Sequence, residues 1–136
     1  MDSLMATYAS SILGLGVLAA LMLVQVVIAD VVGILRRHIP GTPVEPAHSD
    51  SLFRVTRTVA NTNETVVIFV CALLFCMLTN ASPINTAYAT WSYVGCRFIY
   101  AACYYSNQQT LRSIAFGMSL IALASLIVIG ISTNIV

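Results

Sequence analysis

Long apolar runs parted by short polar breaks give this chain its outline. They extend over about 8–35, 51–78, 86–106 and 112–131. Each run has about 20 residues or more, the length an α-helix needs to cross the hydrocarbon of a bilayer. The first break, Ile39 to Pro46, holds three prolines and a glycine, which a helix does not pass through. Ser49 or Asp50 can cap the run that follows. Asn80 to Asn85 is a short uncharged turn, and Asn107 to Thr110 is a tight polar one. The pattern predicts an all-α integral membrane protein, an up-down-up-down bundle of four transmembrane helices forming one domain over 1–136.

Polar residues inside the runs refine the picture. In the second run Arg54, Arg57, Asn61 and Glu64 fall at i, i+3, i+7 and i+10. On a helix they share an arc of roughly 80°. In the third run Tyr93, Arg97, Tyr100 and Tyr104 share an arc of about 60°. Arg112 and Ser113 open the fourth. Such stripes are costly in lipid unless they face protein, water or a ligand. The first run contains Gln25 and Asp30, and Asp30 is expected to face the bundle interior, paired or protonated. Gly14 and Gly16 suggest close helix contact near its start. With no basic segment ahead of it and no clear small-residue cleavage site after it, the first run does not read as a secretory signal.

Composition supports membrane insertion. The chain is 59% hydrophobic and 8% charged, against about 25% charged in soluble domains. Six basic residues against five acidic ones make no patch for nucleic acid. All six are arginines, the group suited to forked binding of carboxylates. Cys71, Cys76, Cys96 and Cys103 lie in apolar runs without CxxC or metal-ligand spacing, and read as small buried hydrophobes. His38, Glu45, His48 and Asp50 match no metal pattern and read as solvated loop residues. Arginine flanks the first and third breaks but neither terminus, so the positive-inside rule puts those loops in the cytoplasm and both termini opposite.

Arg36, Arg37, Arg54, Arg57, Arg97 and Arg112 therefore collect toward one side, with few acids nearby. That surplus suits a small anion carrying more than one carboxylate. Other assignments remain open on residue type alone. Arginines at helix ends can reach headgroups, and Arg97 and Glu64 could pair with each other. Four helices cannot shield so many polar groups, which favours an oligomer with sites between subunits.

The spacing Arg54-x-x-Arg57-x-x-x-Asn61-x-x-Glu64 resembles the signature of the MAPEG family, the membrane-associated proteins in eicosanoid and glutathione metabolism. Arg97-x-x-Tyr100-x-x-x-Tyr104, followed by Arg112, is similar to that family's second motif. The resemblance implies a homotrimer with glutathione bound between subunits and a lipophilic substrate arriving through the bilayer. It implies that Arg57, Asn61 and Glu64 hold the polar ends of glutathione, with Glu64 on the γ-glutamyl amine. Arg37 and Arg54 would lie at the carboxylate end or rim, with Tyr100 and Tyr104 coming from the adjacent subunit. Arg97 and Ser113 belong to the same binding set, and Arg112 matches the catalytic arginine that faces the sulfur. The sequence departs from the pattern at Thr65, where several members have tyrosine, and at Asp30, an unusual acid there. The activity implied is a glutathione-dependent transferase or peroxidase. The alternative is a non-catalytic lipid-binding or scaffold member, favoured if Asp30 and Thr65 disable the site. A small transporter or accessory subunit unrelated to glutathione would show no affinity for it.

Overall fold

A computed structural model describes residues 2–133 of the chain. Five helices follow in order: α1 (Asp2–Thr7), α2 (Ala9–Leu35), α3 (Ser51–Leu78), α4 (Pro83–Tyr105) and α5 (Gln109–Ser132). Three of them, α2, α3 and α5, are long and apolar enough to cross a membrane. α4 is 23 residues long but falls outside that group, because Asn85, its threonines and tyrosines, and Arg97 dilute its apolar character.

Local chemistry sets the helix ends. The Asp50 carboxylate caps α3 by accepting from the Leu52 amide at 3.0 Å. α4 begins three residues earlier than the polar pattern predicts. Ser82 accepts from the Asn85 amide at 3.4 Å, and Pro83 occupies the first turn, where its missing N–H costs nothing. α2, α3 and α4 each end on a left-handed residue: Arg37 (φ 53°), Asn80 (φ 52°) and Asn107 (φ 60°). At each end the next amide reaches back to a carbonyl in the last turn: His38 to Gly33 (3.0 Å), Ala81 to Cys76 (2.9 Å) and Gln108 to Cys103 (2.8 Å). Asparagine tolerates this conformation through its short polar side chain; arginine has no such relief, so Arg37 is the strained member.

The long helices alternate in direction. Tyr8, between α1 and α2, donates its hydroxyl to the Ala81 and Cys76 carbonyls, tying the start of α2 to the end of α3. At the opposite end Arg36 donates to Ser51 Oγ at 3.0 Å and lies 3.7 Å from Asp50. α3 and α4 each pack on all three other long helices. Their core contact is the Phe69–Tyr93 stack, with centroids 4.5 Å apart, among Leu18, Leu73 and Leu126.

Polar and apolar residues are distributed as in a membrane protein rather than a soluble one. Ser11, Gln25, Thr58, Thr62, Thr86, Thr90, Arg97 and Ser119 are buried, while Leu13, Leu23, Ile34, Val67, Leu78 and Val128 are exposed. In water such a surface would aggregate; in lipid it is solvated.

Two expectations for the first long helix change. Asp30 faces outward on the Leu23–Val27–Ile34 stripe, and among the described residues no ion pair reaches it. Instead it lines a separate groove of about 440 Å³ with Gly33, His38 and Thr56. Only Gly14 of the two glycines makes a close approach. A Cβ there would sit 2.7 Å from Thr90 Cγ2, whereas Gly16 has open space around it. Thr90 is wholly buried and cannot swing aside. We expect Gly14→Ala to destabilise the bundle by about 1–3 kcal/mol and Gly16→Ala to be nearly neutral, read by thermal unfolding in detergent. Equal melting of the two variants would contradict this packing.

Candidate functional site

At the end of the bundle where the arginines gather, α3, α4 and α5 line an open cavity of about 340 Å³. That is toward the small end of the roughly 300–1,000 Å³ of known ligand pockets. Phe53, Arg57 and Asn61 line it from α3, and Tyr100 and Tyr104 from α4. Arg112, Ser113 and Phe116 line it from α5, and His48 from the α2–α3 loop. A single chain brings both polar stripes together. Within one protomer Tyr100 and Tyr104 flank the same cavity as Arg57 and Asn61, the two stripes facing each other across the α3–α4 contact.

Arg97 holds them together. Its guanidinium is fully buried and donates to Asn61 Oδ1 at 2.7 Å and to Thr65 Oγ1 at 2.6 Å. Thr65 in turn shares a 2.8 Å hydrogen bond with the Tyr93 hydroxyl. The rings of Tyr93, Tyr100 and Phe116 lie 5.2, 5.6 and 5.4 Å from the guanidinium carbon. No carboxylate pairs with it among the described residues, so the possible Arg97–Glu64 ion pair is not formed. Two charge-assisted bonds at about 1.5–3 kcal/mol each, plus the ring faces, are of the same order as the several kcal/mol of desolvation. Arg97 also decides how the Asn61 amide is turned. With Oδ1 committed inward, the Nδ2 donor points to Glu64 Oε2 at 3.4 Å.

The remaining arginines divide by task. Arg57 is half exposed at the cavity and lies 3.6 Å from Glu64, itself about half exposed just outside the lining. An exposed pair of this kind contributes little to stability, so both groups can be recruited by a ligand. Arg112 lies over the Tyr104 ring at 4.4 Å and has no carboxylate partner among the described residues. It projects from the first turn of α5, whose Gln108 cap makes no side-chain hydrogen bond, so the helix dipole adds positive potential there. The Ser113 hydroxyl donates to the Gln109 carbonyl at 3.0 Å and its oxygen can still accept.

Arg54 and Arg37 do not line the cavity. Arg54 Nη1 donates to the carbonyls of His48 (2.8 Å) and Ser49 (2.9 Å), which commits it to the loop before α3. Arg37 is exposed at the left-handed end of α2. Phe53 and Phe116 were not singled out by the sequence, and Thr65 and His48 were named there without the roles they hold in the site. Thr65 follows Thr58 and Thr62 at helical spacing beside Asn61, Phe53 precedes Arg57 by four, and Phe116 follows Arg112 by four, so each sits on a legible face. His48 carried no such signal. It is not merely a solvated loop residue, because the folded loop turns its ring onto Tyr104 and Phe53.

Buried polar groups, an apolar exterior and membrane-length helices define an integral membrane protein with a guanidinium-lined cavity at one end. The chain matches the MAPEG family over residues 5–132 and belongs to it. That family includes glutathione transferases and peroxidases as well as proteins of lipid metabolism. A search of curated proteins finds no match.

Proposed function

We propose that this protein is a glutathione-dependent transferase or peroxidase that acts on a lipophilic electrophile. The supporting observation is the cavity itself, where Arg57 and Arg112 carry the charge, Arg97 lies behind them and Glu64 is the nearby acid. Glutathione has two carboxylates and one amine, and this donor set complements it: guanidiniums for the carboxylates and Glu64 for the amine. Asn61 presents its Nδ2 donor outward because Arg97 holds its oxygen. Tyr100 and Tyr104 line the cavity from α4. Bound there, glutathione supplies a thiol whose anion is the attacking nucleophile. Arg112 favours that anion by placing positive charge beside it, with Ser113 next to it. The electrophile enters from the bilayer, and proximity provides much of the remaining acceleration.

The active form in this reading is a homotrimer. The Arg57–Glu64 pair and Asp30 are exposed on the protomer, and polar groups at membrane depth favour cover by another subunit. The arginine-bearing end faces the cytoplasm, with both termini opposite. Two features that would favour a non-catalytic member lose force. Asp30 opens on a different groove, and Thr65 holds Arg97 instead of leaving a gap.

The test is thermal unfolding of the detergent-purified protein with and without millimolar glutathione, alongside conjugation of an aromatic electrophile and reduction of a lipid hydroperoxide. We expect a ligand-dependent rise in melting temperature and turnover in at least one assay. No stabilisation by glutathione rejects the reading.

A further inference from the structure

We propose that His48 is a positioning residue that orients the Arg112 guanidinium, and that Arg54 holds His48 in place. The role rests on Arg112 acting beside the bound thiol, as argued above. Three observations lead to it.

The first is the backbone. Arg54 Nη1 donates to two consecutive carbonyls, those of His48 and Ser49, at 2.8 and 2.9 Å. The next residue, Asp50, is fixed as the cap of α3. The main chain is thus pinned at and just after His48, although the loop is otherwise exposed and rich in proline. Arg54, on the α3 stripe, is committed to this contact.

The second is the ring. It packs edge-on to Phe53, with centroids 5.1 Å apart, and lies 6.1 Å from Tyr104. Tyr104 is the ring that carries Arg112 on its face. His48 and Arg112 therefore share one aromatic platform at the mouth of the cavity.

The third is a directional contact. His48 Nδ1 lies 3.4 Å from Arg112 Nη1. Arginine has no acceptor, so Nδ1 accepts and the ring proton resides on Nε2. A cation over a ring face can rotate and slide at little cost, because the attraction is not directional. The bond to Nδ1 supplies the missing direction and selects which N–H groups face the cavity. Misplacement by about 1 Å in such a site can cost on the order of 100-fold in rate.

The test compares His48→Phe, which keeps the aromatic contact and removes the acceptor, with His48→Asn, which returns an acceptor near Nδ1. In the purified full chain we expect His48→Phe to lower kcat about tenfold with little change in the KM for glutathione. His48→Asn should recover most of that loss, and Arg54→Met should reproduce the His48→Phe defect. Wild-type kcat in His48→Phe, or equal impairment of Phe and Asn variants, overturns the proposal. Nitrogen-15 NMR of labelled histidine tests the contact without any assay. The His48 signals, assigned with the aid of His38→Gln, should show a larger share of Nε2–H than a free neutral imidazole, which already favours it, and should fall back to the free ratio in Arg112→Leu. An unchanged pattern in Arg112→Leu also overturns it. Failure of the wild-type protein to bind glutathione would instead reject the functional reading, which these spectra do not address.

Discussion

Arg112→Ala will reduce turnover by roughly 10²–10³-fold while changing the KM for glutathione far less. A free cysteine thiol has a pKa near 8.5, so at neutral pH it is mostly in the unreactive protonated form. Arg112 is a charged group at the cavity without a carboxylate to neutralise it, placed over Tyr104 and at the start of α5. Removing it withdraws stabilisation from the anion that reacts, whereas Arg57, Asn61 and Glu64 still hold the rest of the ligand. The change should leave folding intact, because Arg112 is partly exposed and makes no ion pair among the described residues. Arg112→Lys should be intermediate, since a point charge remains without the planar fork. Steady-state kinetics with the aromatic electrophile, together with the melting temperature, check both halves. Unchanged kcat in a folded Arg112→Ala protein would show that the sulfur is activated elsewhere.

The second large effect falls on stability. Asn61→Leu removes the acceptor that lies 2.7 Å from Arg97 and leaves a wholly buried guanidinium on Thr65 alone. Stranding a buried charge typically costs about 3–5 kcal/mol. We expect a destabilisation at the low end of that range, because Thr65 and the three ring faces remain. Asn61→Asp should fold well, since a carboxylate in the same place neutralises Arg97. It should nevertheless bind glutathione poorly, because the outward donor becomes an acceptor beside Glu64. Thermal unfolding in detergent and glutathione titration separate the two variants. A Leu variant that melts with the wild-type protein would show that Arg97 draws its support from elsewhere.

Both predictions depend on contacts between helices, and these were less legible than the helices themselves. Helical faces could be read from spacing, since side chains recur every 3.6 residues and a stripe such as Arg54 to Glu64 is visible without coordinates. What each member of the stripe does was not visible. Arg54 turns back to the loop, Asn61 turns in to Arg97, and Arg57 and Glu64 meet on the outer edge. Arginine side chains are long enough to reach several neighbours, so spacing along the chain leaves their partners open.

By itself, the sequence determined that this chain is helical, that it belongs in a membrane and that its cations gather at one end. Those properties follow from local periodicity and from bulk transfer of apolar residues, which need no knowledge of neighbours. Only the tertiary structure decided that Arg97 bonds Asn61 and Thr65 rather than Glu64. It likewise placed Asp30 outside the cavity, set Tyr100 and Tyr104 around the same protomer cavity as Asn61, and carried His48 to Arg112. Such pairings are set by how four long helices rotate and slide against one another while satisfying their buried polar groups. That choice depends on all of them at once.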